Sequence, residues 1–177
     1  MPVTEPSLDD LNSTYTTLAA IAVSFAGFGT IAVSLGNRTG GDDAKVDAHR
    51  LTNMLAASLT LVVLALLPAT LAAVGVSPRW QVGLPSIAGL CVMTVASPRL
   101  ARRNLAIMRL PGYNVPASLA NLASVILAAV AFLSCAIGWP DYRPSAIFLI
   151  GLMGLMLSSV IMFSRVAMSL LLPHNKA

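Results

Sequence analysis

Five long apolar stretches, about residues 15–35, 51–76, 80–96, 116–139 and 145–172, run through this chain nearly free of charge, and only Arg165 falls well inside one. A helix needs about 20 consecutive mostly apolar residues to cross a bilayer core. Inside lipid the backbone must bond to itself, which leaves the helix as the form such segments take. The pattern predicts an all-α integral membrane protein, a five-transmembrane-helix bundle in one domain spanning 1–177. With 56% hydrophobic and 10% charged residues and a mean hydropathy of +0.80, the chain lies far from the quarter-charged makeup of soluble domains.

The breaks between stretches carry turn chemistry. Gly36-Asn37-Arg38-Thr39-Gly40-Gly41 ends the first. Asp42 or Asp43 is placed to cap the second, whose first turns are polar (Lys45, Asp47, His49, Arg50) and whose interior holds Pro68. Ser77-Pro78-Arg79 makes the next turn. The third stretch, the shortest, contains Pro85 and is expected to close at Ser97-Pro98-Arg99. Trp139-Pro140-Asp141-Tyr142-Arg143-Pro144 joins the fourth to the fifth, and Trp80, Trp139 and Tyr142 are aromatics suited to headgroup level.

Basic residues set the orientation, because cytoplasmic segments retain Lys and Arg. Arg38, Lys45, Arg50, Arg99, Arg102, Arg103, Arg109 and Lys176 fall on one side, against Arg79 and Arg143 on the other. The N-terminus is therefore expected outside and the C-terminus in the cytoplasm. The N-terminal segment has Glu5, Asp9 and Asp10 but no Lys or Arg, unlike a cleaved secretory signal.

The net charge of +4 is accordingly a topology signal and not a nucleic-acid footprint, since no aromatic-rich basic surface accompanies it. Arg99, Arg102, Arg103 and Arg109 fall roughly on one helical face. They fit either an extension of the third helix with snorkelling arginines, the preferred reading, or a helix lying on anionic headgroups. Arg165 sits about 12 Å by helical rise from Pro173. It reads as a snorkelling side chain at the lipid headgroups, with pore lining as the alternative.

Groups able to support catalysis are scarce. The seven acids lie in termini, turns or a helix entrance, so no carboxylate pair meets within the membrane. His49 and His174 fall at the boundary, away from any mid-membrane metal site, and no phosphate-cradling loop or spaced Cys/His motif occurs. Asp42, Asp43, Asp47 and His49 read as a capped, solvated helix start and not as a metal cluster. Cys91 and Cys135 read as packing residues too different in depth for a disulfide. The expectation is a non-enzyme without cofactor or metal.

Small residues mark where helices approach closely. Ala22, Ala26, Thr30 and Ser34 repeat at four-residue spacing on the first helix, beside a weakly polar stripe of Thr17, Ser24 and Gly27. The fourth helix offers Ala120, Ser124 and Ala128 with Asn121, whose amide can bond across helices, and the fifth offers Gly151, Gly154 and Ser158. Asn53 to Arg99 spans 46 positions and Asn121 to Arg165 spans 44, consistent with a parallel repeat of two hairpins that pairs Arg99 with Arg165.

The run Phe25-Ala26-Gly27-Phe28-Gly29, continuing through Val33-Ser34-Leu35-Gly36-Asn37-Arg38, then Arg50-Leu51, Ser58-Leu59 and Leu66-Leu67-Pro68, resembles small bacterial multi-pass inner-membrane proteins with no assigned function. The resemblance covers about the first half of the chain and implies no functional residues. The expected role is a non-catalytic subunit in the lipid bilayer of the bacterial inner membrane, self-associated or part of a larger membrane complex. The alternative is an oligomeric channel or a transporter of small solutes, anions among them.

Overall fold

The computed structural model describes residues 8–36, 42–107, 115–138 and 144–171, with side chains described for 12–31, 50–95, 115–138 and 144–168. These residues form five helices: α1 (Leu8–Gly36), α2 (Asp42–Ala73), α3 (Pro78–Ile107), α4 (Val115–Ile137) and α5 (Pro144–Leu171). Four of them contain a stretch long and apolar enough to cross a membrane: Asn12–Ile31, Arg50–Ala73, Val115–Ile137 and Pro144–Met168.

The third helix is not among those four over its described side chains, 78–95. It runs past Ser97-Pro98-Arg99, where the apolar run is expected to close, and continues unbroken through Pro98 to Ile107, as expected for the arginine segment read as an extension of the third helix. Pro68 and Pro85 likewise sit inside continuous helix. Just beyond them Thr70 Oγ1 donates to Leu66 O at 2.7 Å and Ser86 Oγ donates to Val82 O at 2.7 Å, each to the carbonyl one turn back.

The turn between α2 and α3 explains why α2 ends at Ala73 and not Val76. Gly75 adopts φ +83°, its N–H reaches Ala72 O at 3.0 Å and the Val76 N–H reaches Leu71 O at 3.0 Å. That is the Schellman arrangement, which favours glycine because left-handed backbone crowds a Cβ. Ser77 then precedes α3 with Pro78 at its first position, where the missing N–H costs nothing. The Gln81 side-chain amide donates back to Val76 O at 2.7 Å and locks the turn.

Contacts between helices define an up-and-down bundle with an added helix. Among the described residues α2 packs on α3, α3 on α4, α4 on α5 and α5 on α2, closing a four-helix ring, while α3 also touches α5. α1 lies outside that ring against α2 and α5 only. It runs parallel to α5: Tyr15 meets Phe148 edge-on at 5.8 Å between ring centroids, and Phe25 meets Phe163 at 5.5 Å. We call the end with the α2–α3 turn the upper end and the opposite one the lower end.

The ring interior is filled. Phe132, Phe148, Leu61, Leu152 and Met54 are fully buried. Glycines make room for the largest of these. A Cβ on Gly151 would fall 2.6 Å from Phe132 Cε1, and one on Gly89 would fall 3.2 Å from Phe132 Cδ2, so the Phe132 ring is held between α3 and α5. The outward faces are apolar stripes, such as Leu59, Val63 and Leu66 on α2 and Leu119, Leu122, Ile126, Val130 and Leu133 on α4. A surface of this kind is suited to lipid and not to water.

Candidate functional site

Polar groups gather in three places, which together are the candidates for function. The first is a seam in the lower half of the ring. Ser158 Oγ donates to Asn121 Oδ1 at 2.6 Å between α5 and α4, and Ser58 Oγ donates to Ser159 Oγ at 3.4 Å between α2 and α5. All four serines of this region, Ser58, Ser124, Ser158 and Ser159, are buried. Among the described residues no buried side-chain nitrogen or oxygen lacks a hydrogen-bond partner. The seam is closed and satisfied, which suits it to fixing helix register more than to carrying solute.

Gly154 belongs to the same seam. A Cβ there would stand 2.9 Å from the Ser124 carbonyl oxygen and 3.1 Å from the Ala128 Cβ. Thus Asn121, Gly151, Gly154 and Ser158 all come together along the α4 and α5 contact.

A second cluster, not singled out from sequence, ties α1, α3, α4 and α5 at the upper end. Tyr15 is buried and its hydroxyl donates to Ser145 O at 3.4 Å, while the Cys135 thiol donates to Pro144 O at 3.3 Å. Ser86 of α3, whose hydroxyl donates to Val82 O, lies beside the Cys135 thiol. Tyr15 and Cys135 both grip the first turn of α5. The signal that could have pointed here is Tyr15, a phenol at the edge of an apolar run, which needs a partner once buried. Cys91, by contrast, is exposed on the bundle surface.

The third place is the outer surface of α1. The stripe expected to pack, Ala22, Ala26, Thr30 and Ser34, does not stay on one interface. Ala22 is fully buried and Ala26 half-buried, but Thr30 is exposed and bonds only its own helix, at Ala26 O. Ser34 lies outside the described side chains. The reason is geometric: a four-residue step overshoots one turn by about 40°, so the row winds off the contact within two steps. The packed face is Tyr15, Leu18, Ala19, Ala22 and Gly29, with Gly29 set against Met54 and Leu51 of α2.

On the other side of α1, Ser13, Thr16, Thr17, Ala20, Ile21 and Ser24 line an open groove of about 500 Å³. Its hydroxyls donate to carbonyls one turn back: Thr16 to Asn12 O, Thr17 to Ser13 O and Ser24 to Ala20 O. Each therefore faces outward with acceptor capacity in hand.

The arginines complete the inventory. Arg165 is half-buried near the lower end of α5, one heptad beyond Ser158, and Arg50 is half-buried at the lower end of α2. Arg99, Arg102 and Arg103 stand on the helical extension of α3, their side chains outside those described. Asp42, Asp43, Asp47 and His49 stand in the first turns of α2, also with side chains outside those described. At the upper end the Arg79 guanidinium lies over Gly138, the residue with φ +79° that follows α4, and a Cβ there would fall 2.8 Å from Arg79 Nη2. A cation in that position also complements the negative end of the α4 dipole.

No family model, no curated protein and no solved structure matches the chain. The functional reading accordingly stands on these residues alone.

Proposed function

We propose that the chain is a multi-pass protein of the bacterial inner membrane that acts without catalysis, as a self-associating or accessory subunit of a membrane assembly. The observation that carries this reading is the hydroxyl-lined groove on α1. α1 leaves unpaired, on the outside of the bundle, a face of Ser13, Thr17, Ala20 and Ser24, small enough for a second helix to approach closely. Elsewhere α1 exposes Val23, Phe28 and Ile31, and the other helices likewise turn large apolar side chains outward, as lipid contact requires.

The topology we assign has the N-terminus outside and the C-terminus cytoplasmic, with α3 as a fifth crossing. Arg50 and Arg165 at the lower end agree with that orientation, and Arg79 at the upper end is one of the two basic residues on the opposite side. We also read the hairpins α2–α3 and α4–α5 as a parallel repeat pairing Arg99 with Arg165. The packing of α2 on α5 and of α3 on α4 are equivalent contacts in such a repeat.

The competing reading is an oligomeric channel or anion carrier. Phe132, Phe148, Leu61 and Leu152 fill the ring axis, so a conducting path would have to form between copies. Purified protein in liposomes distinguishes the two. The subunit reading expects no ion flux and no effect of Arg165→Glu, whereas flux whose ion preference changes with Arg165→Glu would replace it with the channel.

A further inference from the structure

Three helices that pack on one another, α2, α3 and α5, each carry an arginine at one height. Helical rise gives the height, and one contact between α2 and α5 calibrates it. Ser58 lies 15 residues before Ala73, Ser159 lies 15 residues after Pro144, and the two are hydrogen-bonded. On the same scale Arg50 lies 23 residues before Ala73, Arg99 lies 21 after Pro78 and Arg165 lies 21 after Pro144. These counts correspond to about 35, 32 and 32 Å from the upper ends.

With the upper ends set at one face of a hydrocarbon core about 30 Å thick, all three positions reach the opposite face, next to the headgroups. The unbroken course of α3 through Pro98 is what brings position 99 there, with positions 102 and 103 about one turn further along the helix. α4 begins at this level too, and its first turn adds positive partial charge. On the described helices the nearest acidic position at this end is Asp47, one turn beyond Arg50.

We infer that the lower end of the bundle binds the phosphate headgroup of an anionic phospholipid, with Arg50, Arg99 and Arg165 supplying the positive charge. Guanidinium groups suit this ligand because their planar donor fork matches phosphate oxygens. The inference uses the membrane-spanning reading of the helices and is independent of whether the protein is a subunit or a channel.

The test is native mass spectrometry of the full chain titrated with phosphatidylglycerol or with phosphatidylcholine of the same acyl length. Phosphatidylglycerol is expected to bind more tightly, and Arg50→Gln, Arg99→Gln and Arg165→Gln are each expected to weaken it about fivefold. Arg79→Gln, at the upper end, is expected to leave it unchanged. Circular dichroism checks that each variant is folded. Where a glutamine variant is not, the lysine variant at that position replaces it and is expected to keep the preference for the anionic lipid. Equal affinity for the two lipids, or equal weakening by Arg79→Gln, would overturn the inference. Displacement of bound lipid by millimolar inorganic phosphate would overturn it as well, by making free phosphate the ligand.

Discussion

Gly154 has the least room of any described glycine against backbone, because the Ser124 carbonyl oxygen stands where its Cβ would go. A carbonyl held in a helix cannot swing aside as a side-chain end can. Gly154→Ala is therefore expected to cost about 1–3 kcal/mol of stability, the usual cost of overpacking. Gly27→Ala, with nothing within 4 Å, is expected to leave the fold's stability unchanged. Steric-trap or detergent-denaturation measurements on both variants decide this, and a neutral Gly154→Ala would contradict the packed seam. The Ser158 to Asn121 bond beside it invites a double-mutant cycle with alanine at each position. Hydrogen bonds between membrane helices couple by about 0.6 kcal/mol on average, and a value of that order is expected. These partners were legible as residue types, since an amide and small residues in apolar runs are conspicuous. Their pairing was not, because it depends on how α4 and α5 align. The Ser58 to Ser159 bond was invisible for the same reason: the two are 101 positions apart.

Among the elements, α1 and α3 are where sequence and structure diverge. On α1 a row at four-residue spacing looks like a single interface but winds off it, which leaves Thr30 exposed and puts the buried stripe on Tyr15, Leu18, Ala19 and Ala22. The nearby stripe of Thr17, Ser24 and Gly27, noticed only as an accompaniment, lies exposed. Substitutions on the two faces should thus have opposite consequences. Thr17→Leu with Ser24→Leu is expected to leave the monomer folded while abolishing assembly in crosslinking or size-exclusion analysis. Ala22→Leu is expected to destabilise the bundle itself, since Ala22 is fully buried against its neighbours. If the double variant assembled normally, the groove on α1 would lose its role. On α3 the Ser97-Pro98-Arg99 sequence carries turn residues, yet the helix persists, as expected for the arginine segment read as an extension of the third helix. Proline removes one backbone bond and biases the residue before it, but neighbouring helical turns can carry the chain past it.

At the scale of the whole molecule, hydrophobic segments and turn residues foretold an all-helical bundle and most helix limits to within a few residues. What they could not foretell is which helices touch, and hence that α2 to α5 close a ring around Phe132 while α1 remains outside. The proposed topology has a test at this scale. A membrane-impermeant thiol reagent applied to intact cells should label a single cysteine added near residue 3 and not one added near residue 176; the reverse pattern would invert the orientation. The central claim, that α1 offers its outer face to a second protein within the membrane, is tested most directly by native mass spectrometry of the chain extracted gently from its own membrane. An assembly of fixed stoichiometry is expected, built of this chain or of this chain with a partner, that falls to single copies when Thr17 and Ser24 are leucine. An isolated 18.4 kDa species under every gentle extraction condition would contradict it.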